Sequence, residues 1–414
     1  MRRLTAEKGM FPMETQKRSK QNMALYSMKE ALCQAVMPVL RGNIAQLFLL
    51  SRGASTAMVG YYGSMVTLVQ MAMTMLLSGT AEKVKDARKF NTLLLLLLAG
   101  SSMLFLPVTF WDLGAGVTLM VYSAVTVAQI SFSCRRTICD FKVNYQIIRP
   151  EHYGTMVFLS NALAGITGIA FSGLFSLMID TNLGGRPYFI CMILTVLLLL
   201  AAMFLNTRLK PIYPAPEGKK QTAGPLEQIK MLMKVDSFRK LVIPNLLRGV
   251  TLSVTGSIVL IATVMGIDES GQAKIPLVCA VATFCASGLY VLLSKKLSVS
   301  AINIIGSVLL LALLFLPRGN SFGFLTLYLI AHLGRILVDN AIPTMIFDII
   351  DPKIAGSYHA WRSVLYNASW SVFMPIVGTL VEIVHPMWIL VPGAVTYVIV
   401  TIWYHLVCRS LKKA

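Results

Sequence analysis

The sequence predicts an all-α polytopic membrane protein with twelve transmembrane helices in two pseudo-symmetric six-helix bundles. Three observations predict it: a composition too apolar for water, twelve apolar segments of spanning length, and basic residues crowded into the loops of one side. Of 414 residues, 56% are hydrophobic and only 13% charged, with mean hydropathy +0.69. Such a chain would aggregate as a soluble domain and is matched to a lipid bilayer. The stretch from Met1 to Asn22 is polar and basic and lacks the pattern of a cleavable signal, so the first helix is expected to stay in the mature protein.

A helix needs about 20 apolar residues to cross. Segments of that kind lie near 31–51, 57–78, 90–110, 114–137, 154–179 and 186–206, and again near 241–266, 274–293, 297–316, 321–347, 355–380 and 386–408. The side assignment follows from lysine and arginine, which are retained on the cytoplasmic face near span ends. With both termini inside, 29 of the 37 basic residues fall in inner segments and only Arg52, Arg186, Lys274 and Arg318 in outer ones. The remaining four, Arg41, Arg248, Arg335 and Arg362, fall inside spans. The chain thus divides into a basic cytoplasmic segment 1–30, a six-helix domain 31–206, a linker 207–240, a second six-helix domain 241–408 and a tail 409–414. The linker carries three early prolines and many charges, and "PLEQIKMLMK" within it reads as an amphipathic helix on the inner membrane surface.

The two halves repeat each other. "IIRPEHYG" at 147–154 and "IIDPKIAG" at 349–356 share Ile-Ile-x-Pro-x-x-x-Gly at an offset of 202. Leu40-Arg41-Gly42 returns as Leu247-Arg248-Gly249 at an offset of 207, each with a proline three or four residues before the arginine. Both matches fall at equivalent places, the first helix of each half and the loop between its fourth and fifth helices. Tandem halves of this kind are a known transporter design.

On these features the chain resembles the major facilitator superfamily, over nearly its whole length, through six plus six helices, cytoplasmic termini and a long basic central loop. Its loop "SGTAEKVKDARK" at 78–89 is similar to the family's signature after the second helix, Gly-x-Leu-Ala-Asp-Arg-x-Gly-Arg-Arg, with Ala81-Glu82-Lys83 in register with Ala-Asp-Arg. Ser78 and Lys85 stand where the glycines belong, and the arginine pair is displaced to Arg88-Lys89. "LSKK" at 293–296 is a further eroded counterpart, and "GITGIAFSG" at 165–173 is similar to the glycine-rich fifth helix of family exporters but lacks their proline, which leaves the direction of transport open. The resemblance implies that Glu82 latches the inner gate, with Arg362 as an opposing charge, and that the first helix of each half lines a central cavity.

A charge near the bilayer centre costs on the order of 3 kcal/mol, so such residues are functional candidates. Arg41 and Arg248 form the first pair, whose planar guanidiniums grip carboxylates or phosphates well. The alternative is structural: each arginine pairs with a carboxylate or carbonyl and only holds its helix. Gly42 and Gly249 let a helix or ligand approach, or let the first helix flex as a gate. Counting 3.6 residues per turn, Asn43 and Gln46 lie off the face of Arg41, so at most one reaches the cavity; Gln46 is taken as that one. Arg335 and Asp339 are four apart on the tenth helix, close enough to pair, and Asp339 doubles as the expected proton carrier, since it reads as the only carboxylate deep in a span. Pro343, one turn on, is an expected gate hinge. Asn367 and Trp370 on the eleventh helix complete the expected substrate site, although packing explains most membrane aromatics. Arg135, Arg136 and Asp140 read as charges at inner helix ends, with long side chains reaching out to the surface, and Tyr61-Tyr62 as an interfacial belt.

The seven cysteines show no CxxC and no histidine at ligand spacing, so neither metal nor disulfide is expected, and no cofactor. The net charge of +19 is spread along the chain, which argues against nucleic acid. No nucleophile elbow, nucleotide loop or paired acidic motif points to an enzyme. The reading is therefore a monomeric secondary transporter of the bacterial inner membrane, moving a small molecule by alternating access, with an organic anion as substrate and proton or sodium as coupling ion. A sugar or drug transporter with structural arginines, or a receptor of the same fold, is the alternative.

Overall fold

A computed structural model describes residues 13–77, 84, 86–149, 152–182, 186–213, 225–347 and 355–413. All regular structure among them is helical, as lipid demands: with no water to satisfy backbone N–H and C=O groups, each spanning segment must close its hydrogen bonds on itself.

The first rod is broken into α1 (Met13–Ala35), α2 (Met37–Arg41) and α3 (Asn43–Ser51). It begins well before residue 31, so part of the basic N-terminal stretch is helix. Next come α4 (Thr56–Leu77), α5 (Ala87–Met103) with α6 (Phe105–Phe110), α7 (Ala115–Ile147), α8 (Tyr153–Asp180) and α9 (Pro187–Arg208). A short helix α10 (Pro225–Met233) precedes α11 (Asp236–Gly256), which joins α12 (Ile258–Val264) at a bend of 46°. Then follow α13 (Glu269–Ala273), α14 (Ile275–Leu293), α15 (Val299–Leu310) with a 3-10 turn to Phe315, α16 (Ser321–Phe347), α17 (Ala355–Ile383) and α18 (Met387–Lys413). A helix stands at each of the twelve expected positions. Among the described residues nine helices are long and apolar enough to cross a membrane, or ten if the bent α11–α12 pair is one span. Val299–Phe315 is apolar but shorter, and α4 carries Ser64 and Gln70 along its length.

Helices α1, α5, α7 and α9 pack mainly among themselves, with α8 against α1 and α4 against α7, and α11, α14, α15, α16, α17 and α18 form a second group. The groups meet through α4 on α17 and α8 on α14. The first seam is closed by small residues. A Cβ on Gly60 would lie 3.0 Å from the Gly378 Cα, and Ser64 donates to the Ser371 carbonyl at 2.5 Å. At the end of the bundle away from the termini the seams are also tied by polar groups: Thr56 Oγ1 donates to Glu382 Oε1 at 2.6 Å and Lys274 pairs with Asp180 at 3.2 Å. Outward faces carry exposed leucine, phenylalanine and tryptophan, such as Leu93, Phe322 and Trp388, a surface that suits acyl chains and not water.

Candidate functional site

The break in the first rod builds the site. Pro38 lacks an N–H and sits in the first turn of α2, and Gly42 leaves the helical region at φ −109° and ψ −146°. Helical hydrogen bonds across the break are lost, and two tyrosines take up the freed carbonyls: Tyr122 of α7 donates to Val39 O at 2.5 Å and Tyr62 of α4 to Leu40 O at 3.3 Å. Tyr62 is buried and caps a helix end, so only the exposed Tyr61 fits the expected belt. The space at Gly42 is tight, since a Cβ there would meet the Pro38 Cα at 2.8 Å.

The break presents Arg41 to a cavity of about 800 Å³ between the two helix groups. The cavity runs from Tyr26, Asn144 and Met156 toward Ser172 and Pro276, and its walls include Glu30, Asp140, His332 and Asp339. Past Ser172 and Pro276 lies the Asp180–Lys274 pair, so the space is sealed away from the termini and extends toward them.

Each carboxylate on its wall is already engaged. Lys29 of α1 contacts Asp140 Oδ1 at 2.7 Å and Glu30 Oε1 at 3.0 Å. Arg136 of α7 contacts Glu30 Oε1 at 2.6 Å and Asp140 Oδ2 at 3.1 Å. Two cations and two anions thus close a neutral ring, to which Asn91 adds a donor on Asp140 at 2.7 Å and Tyr26 a ring face 4.2 Å from the ammonium. Buried pairs of this kind persist only when every partner is satisfied. On the other wall Asp339 accepts from Arg248 at 2.5 Å and lies 3.5 Å from Arg335, a cluster with net charge +1. Arg41 has no carboxylate partner among the described residues.

Comparison with known proteins bears on the fold. No family model and no curated protein matches the sequence. Solved structures do match. A POT family transporter in complex with a thioalcohol-conjugated peptide matches with TM-score 0.74 and 10% identity over 94% of this chain and 96% of that one. A D-xylose–proton symporter matches with TM-score 0.70 and 11% identity over 93% and 97% of the two chains. The nucleoside transporter NupG matches with TM-score 0.64 and 12% identity over 95% and 98%. The chain has the major facilitator fold. The similarity to such distant sequences is one of backbone, and the side chains must be read on their own.

Within the major facilitator fold the expected residues separate. Arg41, Gly42 and Asp339 line the cavity; Arg248 does not, being 6% exposed and turned onto Asp339 and the Tyr366 ring, 5.4 Å away. Gly249 serves helix packing: a Cβ there would come 2.2 Å from the Tyr366 carbonyl of α17. Gln46 is buried and donates to Gly256 O at 3.2 Å, while Asn43 lines the cavity in its place. The expectation fails here because it carries the helical count across Gly42, where the helix stops. Asn367 is buried and donates to Ser363 Oγ at 3.3 Å, and Trp370 packs at Gly256; neither is on the cavity wall. Arg362 is buried with no carboxylate partner among the described residues. Pro343 lies within α16, which runs past it to Phe347. Glu82 and Lys83 lie outside the described residues.

The neutral ring is hidden in the sequence for a simple reason. Lys29 and Glu30 precede the expected start of the first span, and Arg136 and Asp140 read as lying at an inner surface, whereas all four are in the packed helices; Asp339 is therefore not the sole buried carboxylate. A signal is present all the same. Arg-x-x-x-Asp occurs at 136/140 and at 335/339, an offset of 199, close to the offsets of the other repeated motifs and in the fourth helix of each half.

Proposed function

We propose that the chain is a secondary active transporter that carries a small organic anion across the bacterial cytoplasmic membrane by alternating access. One observation carries the substrate class: Arg41 faces the cavity with its charge unmatched, while Glu30, Asp140 and Asp339 are each already paired with cations. An unpaired guanidinium in a low-dielectric cavity attracts an anion strongly and can hold a carboxylate by two parallel hydrogen bonds. In this reading twelve spans form two six-helix domains, 31–206 and 241–408, joined by the linker 207–240, with both termini cytoplasmic, and the protein works as a monomer. The cavity extends toward the termini and is sealed at the other end, which supports an inward-facing state. Alternation opens the Thr56–Glu382 and Asp180–Lys274 ties while the inner ends close, with Gly42 and Pro343 as flexing points, Gly249 as the close contact of α11 with α17, and Glu82, Lys83 and Arg362 as the inner latch.

Coupling is to protons, with Asp339 as carrier: it reaches the cavity, and its release from Arg248 and Arg335 on protonation would link ligand binding to helix movement. The D-xylose–proton symporter match supports symport as a mode of this fold. A second reading, favoured by the pairing of Arg248 with Asp339, is a neutral solute of the sugar, nucleoside or peptide kind that its structural neighbours are named for, with arginines that only hold helices. Uptake into proteoliposomes separates the two. Arg41→Gln is expected to lower anion uptake by at least about tenfold, the loss of a charge-assisted bidentate contact; unchanged uptake would reject the anion site. Asp339→Asn is expected to abolish the response to a pH gradient.

A further inference from the structure

The wall of the same cavity carries a chain of polar side chains that the anion site does not use. Asn43, the first residue of α3, donates from Nδ2 to Cys279 Sγ of α14 at 3.5 Å. Cys279 Sγ lies 3.3 Å from the Tyr328 hydroxyl of α16, and that hydroxyl lies 3.2 Å from His332 Nδ1 one turn on. Asn43, Cys279 and His332 are on the cavity wall, and Tyr328 is fully buried behind them. A hydroxyl has one proton, so Tyr328 cannot donate to both neighbours. Cys279 Sγ also lies 4.0 Å from His332 Nδ1, so the thiol proton has two acceptors within this group, and either choice leaves Nδ1 to accept. The choice with the shorter contacts uses every donor once. The Asn43 amide donates to sulfur, the thiol to Tyr328, and Tyr328 to His332 Nδ1, which leaves the histidine proton on Nε2.

That Nε2 has no hydrogen-bond partner among the described residues and is not one of their enclosed unpartnered atoms. His332 is otherwise packed, 7% exposed, so the cavity is where this nitrogen opens. Packing around the buried hydroxyl fixes its ring, which presents a single neutral donor at a fixed place. Asn43 follows Arg41 by two residues, across the Gly42 break, and both line the same cavity.

We infer that Asn43, Cys279, Tyr328 and His332 form a second subsite that reads a hydroxyl or carbonyl oxygen on the substrate, so that the transported anion is a hydroxy- or oxo-substituted carboxylate and not a plain aliphatic one. The inference rests on the anion reading of Arg41 and adds the specificity to it. Arg41 supplies attraction that any carboxylate satisfies, and His332 Nε2–H supplies a bond that only an oxygen-substituted ligand can complete. A neutral hydrogen bond of this kind is expected to change affinity several-fold, somewhat less than about tenfold.

The test is equilibrium binding to the purified full-length protein of size-matched pairs, lactate against propionate and malate against succinate. The wild-type protein is expected to bind the hydroxylated member of each pair several-fold more tightly. His332→Phe removes the donor and is expected to bring the ratio to within about twofold; Tyr328→Phe removes only the hydroxyl that holds Nδ1 and is expected to lower the ratio by less; both leave propionate and succinate affinity unchanged, since those acids lack the oxygen that the subsite reads. His332→Gln, which restores an N–H donor, is expected to recover part of the preference. Thermal midpoints recorded for the same samples check that each variant is folded. A preference that survives both Phe variants, with Arg41→Gln still weakening all four ligands, overturns the subsite and leaves the anion site standing. Binding of none of the four, or binding indifferent to Arg41→Gln, overturns the anion reading and the subsite with it.

Discussion

The two Leu-Arg-Gly motifs are repeats in sequence and opposites in structure. At Arg41 the helix breaks at Gly42 and the guanidinium meets the cavity; at Arg248 the helix runs on unbroken to Gly256 and the guanidinium is pinned to Asp339 at 2.5 Å. The difference originates in the fourth helix of each half. Both carry Arg-x-x-x-Asp, and in both the aspartate takes a cation from the first helix of its own half. In the second half that cation is Arg248. In the first half it is Lys29, 12 residues before Arg41, about 18 Å earlier along a helix. Arg41 is thereby left without a carboxylate partner among the described residues, and it lines the cavity. The sequence repeats the arginine, and the cation that each helix-four aspartate takes separates the arginine that is pinned from the one that lines the cavity.

The comparison is sharpest where a charge is removed. Asp339→Asn leaves Arg248 and Arg335 buried without a counter-ion and is expected to destabilise the fold by about 3–5 kcal/mol, as breaking buried pairs does. Detergent thermal unfolding measures it; a midpoint equal to wild type would show that the cluster is not a structural pair. Replacing Arg248 and Asp339 together by Met and Leu is expected to restore part of the loss, because that apolar pair needs no solvation while Arg335 still lacks its counter-ion.

The glycines give the next effect. Gly249→Ala drives a methyl against the Tyr366 backbone carbonyl and is expected to cost about 1–3 kcal/mol through overpacking, visible as a lower midpoint. Backbone cannot yield there without moving α17. The smallest stability effect is expected at Arg41→Gln, within about 0.5–1 kcal/mol of wild type, since no protein partner is lost. A large drop in the Arg41→Gln midpoint would mean that its charge holds the fold, and would erase the contrast with Arg248.

The helical class, the order of the segments and the repeat are legible in the residues themselves, through apolar run lengths, basic loops and matched motifs, since a bilayer admits few other solutions. Arg41 stands out as an intramembrane charge on the same grounds. Gln46, Asn367 and Trp370 mislead because a periodic count gives only a direction around a helix; it cannot tell whether the helix continues or which neighbour lies on that side. The Arg-x-x-x-Asp spacing is readable twice over, yet its partners Lys29 and Glu30 lie more than 100 residues away from Arg136 and Asp140.

By itself, then, the sequence determined that the chain is a helical membrane protein with repeated motifs and that a few charges must be accounted for within it. Those are consequences of solvation, which acts on each segment separately. Only the tertiary structure decided which cation meets which carboxylate, that the first helix stops at Gly42, and that Asn43, Cys279, Tyr328 and His332 share one wall. Charges find their partners across helices far apart in the chain, and a shift of a few turns in one partner changes an arginine from a structural pin into an open site.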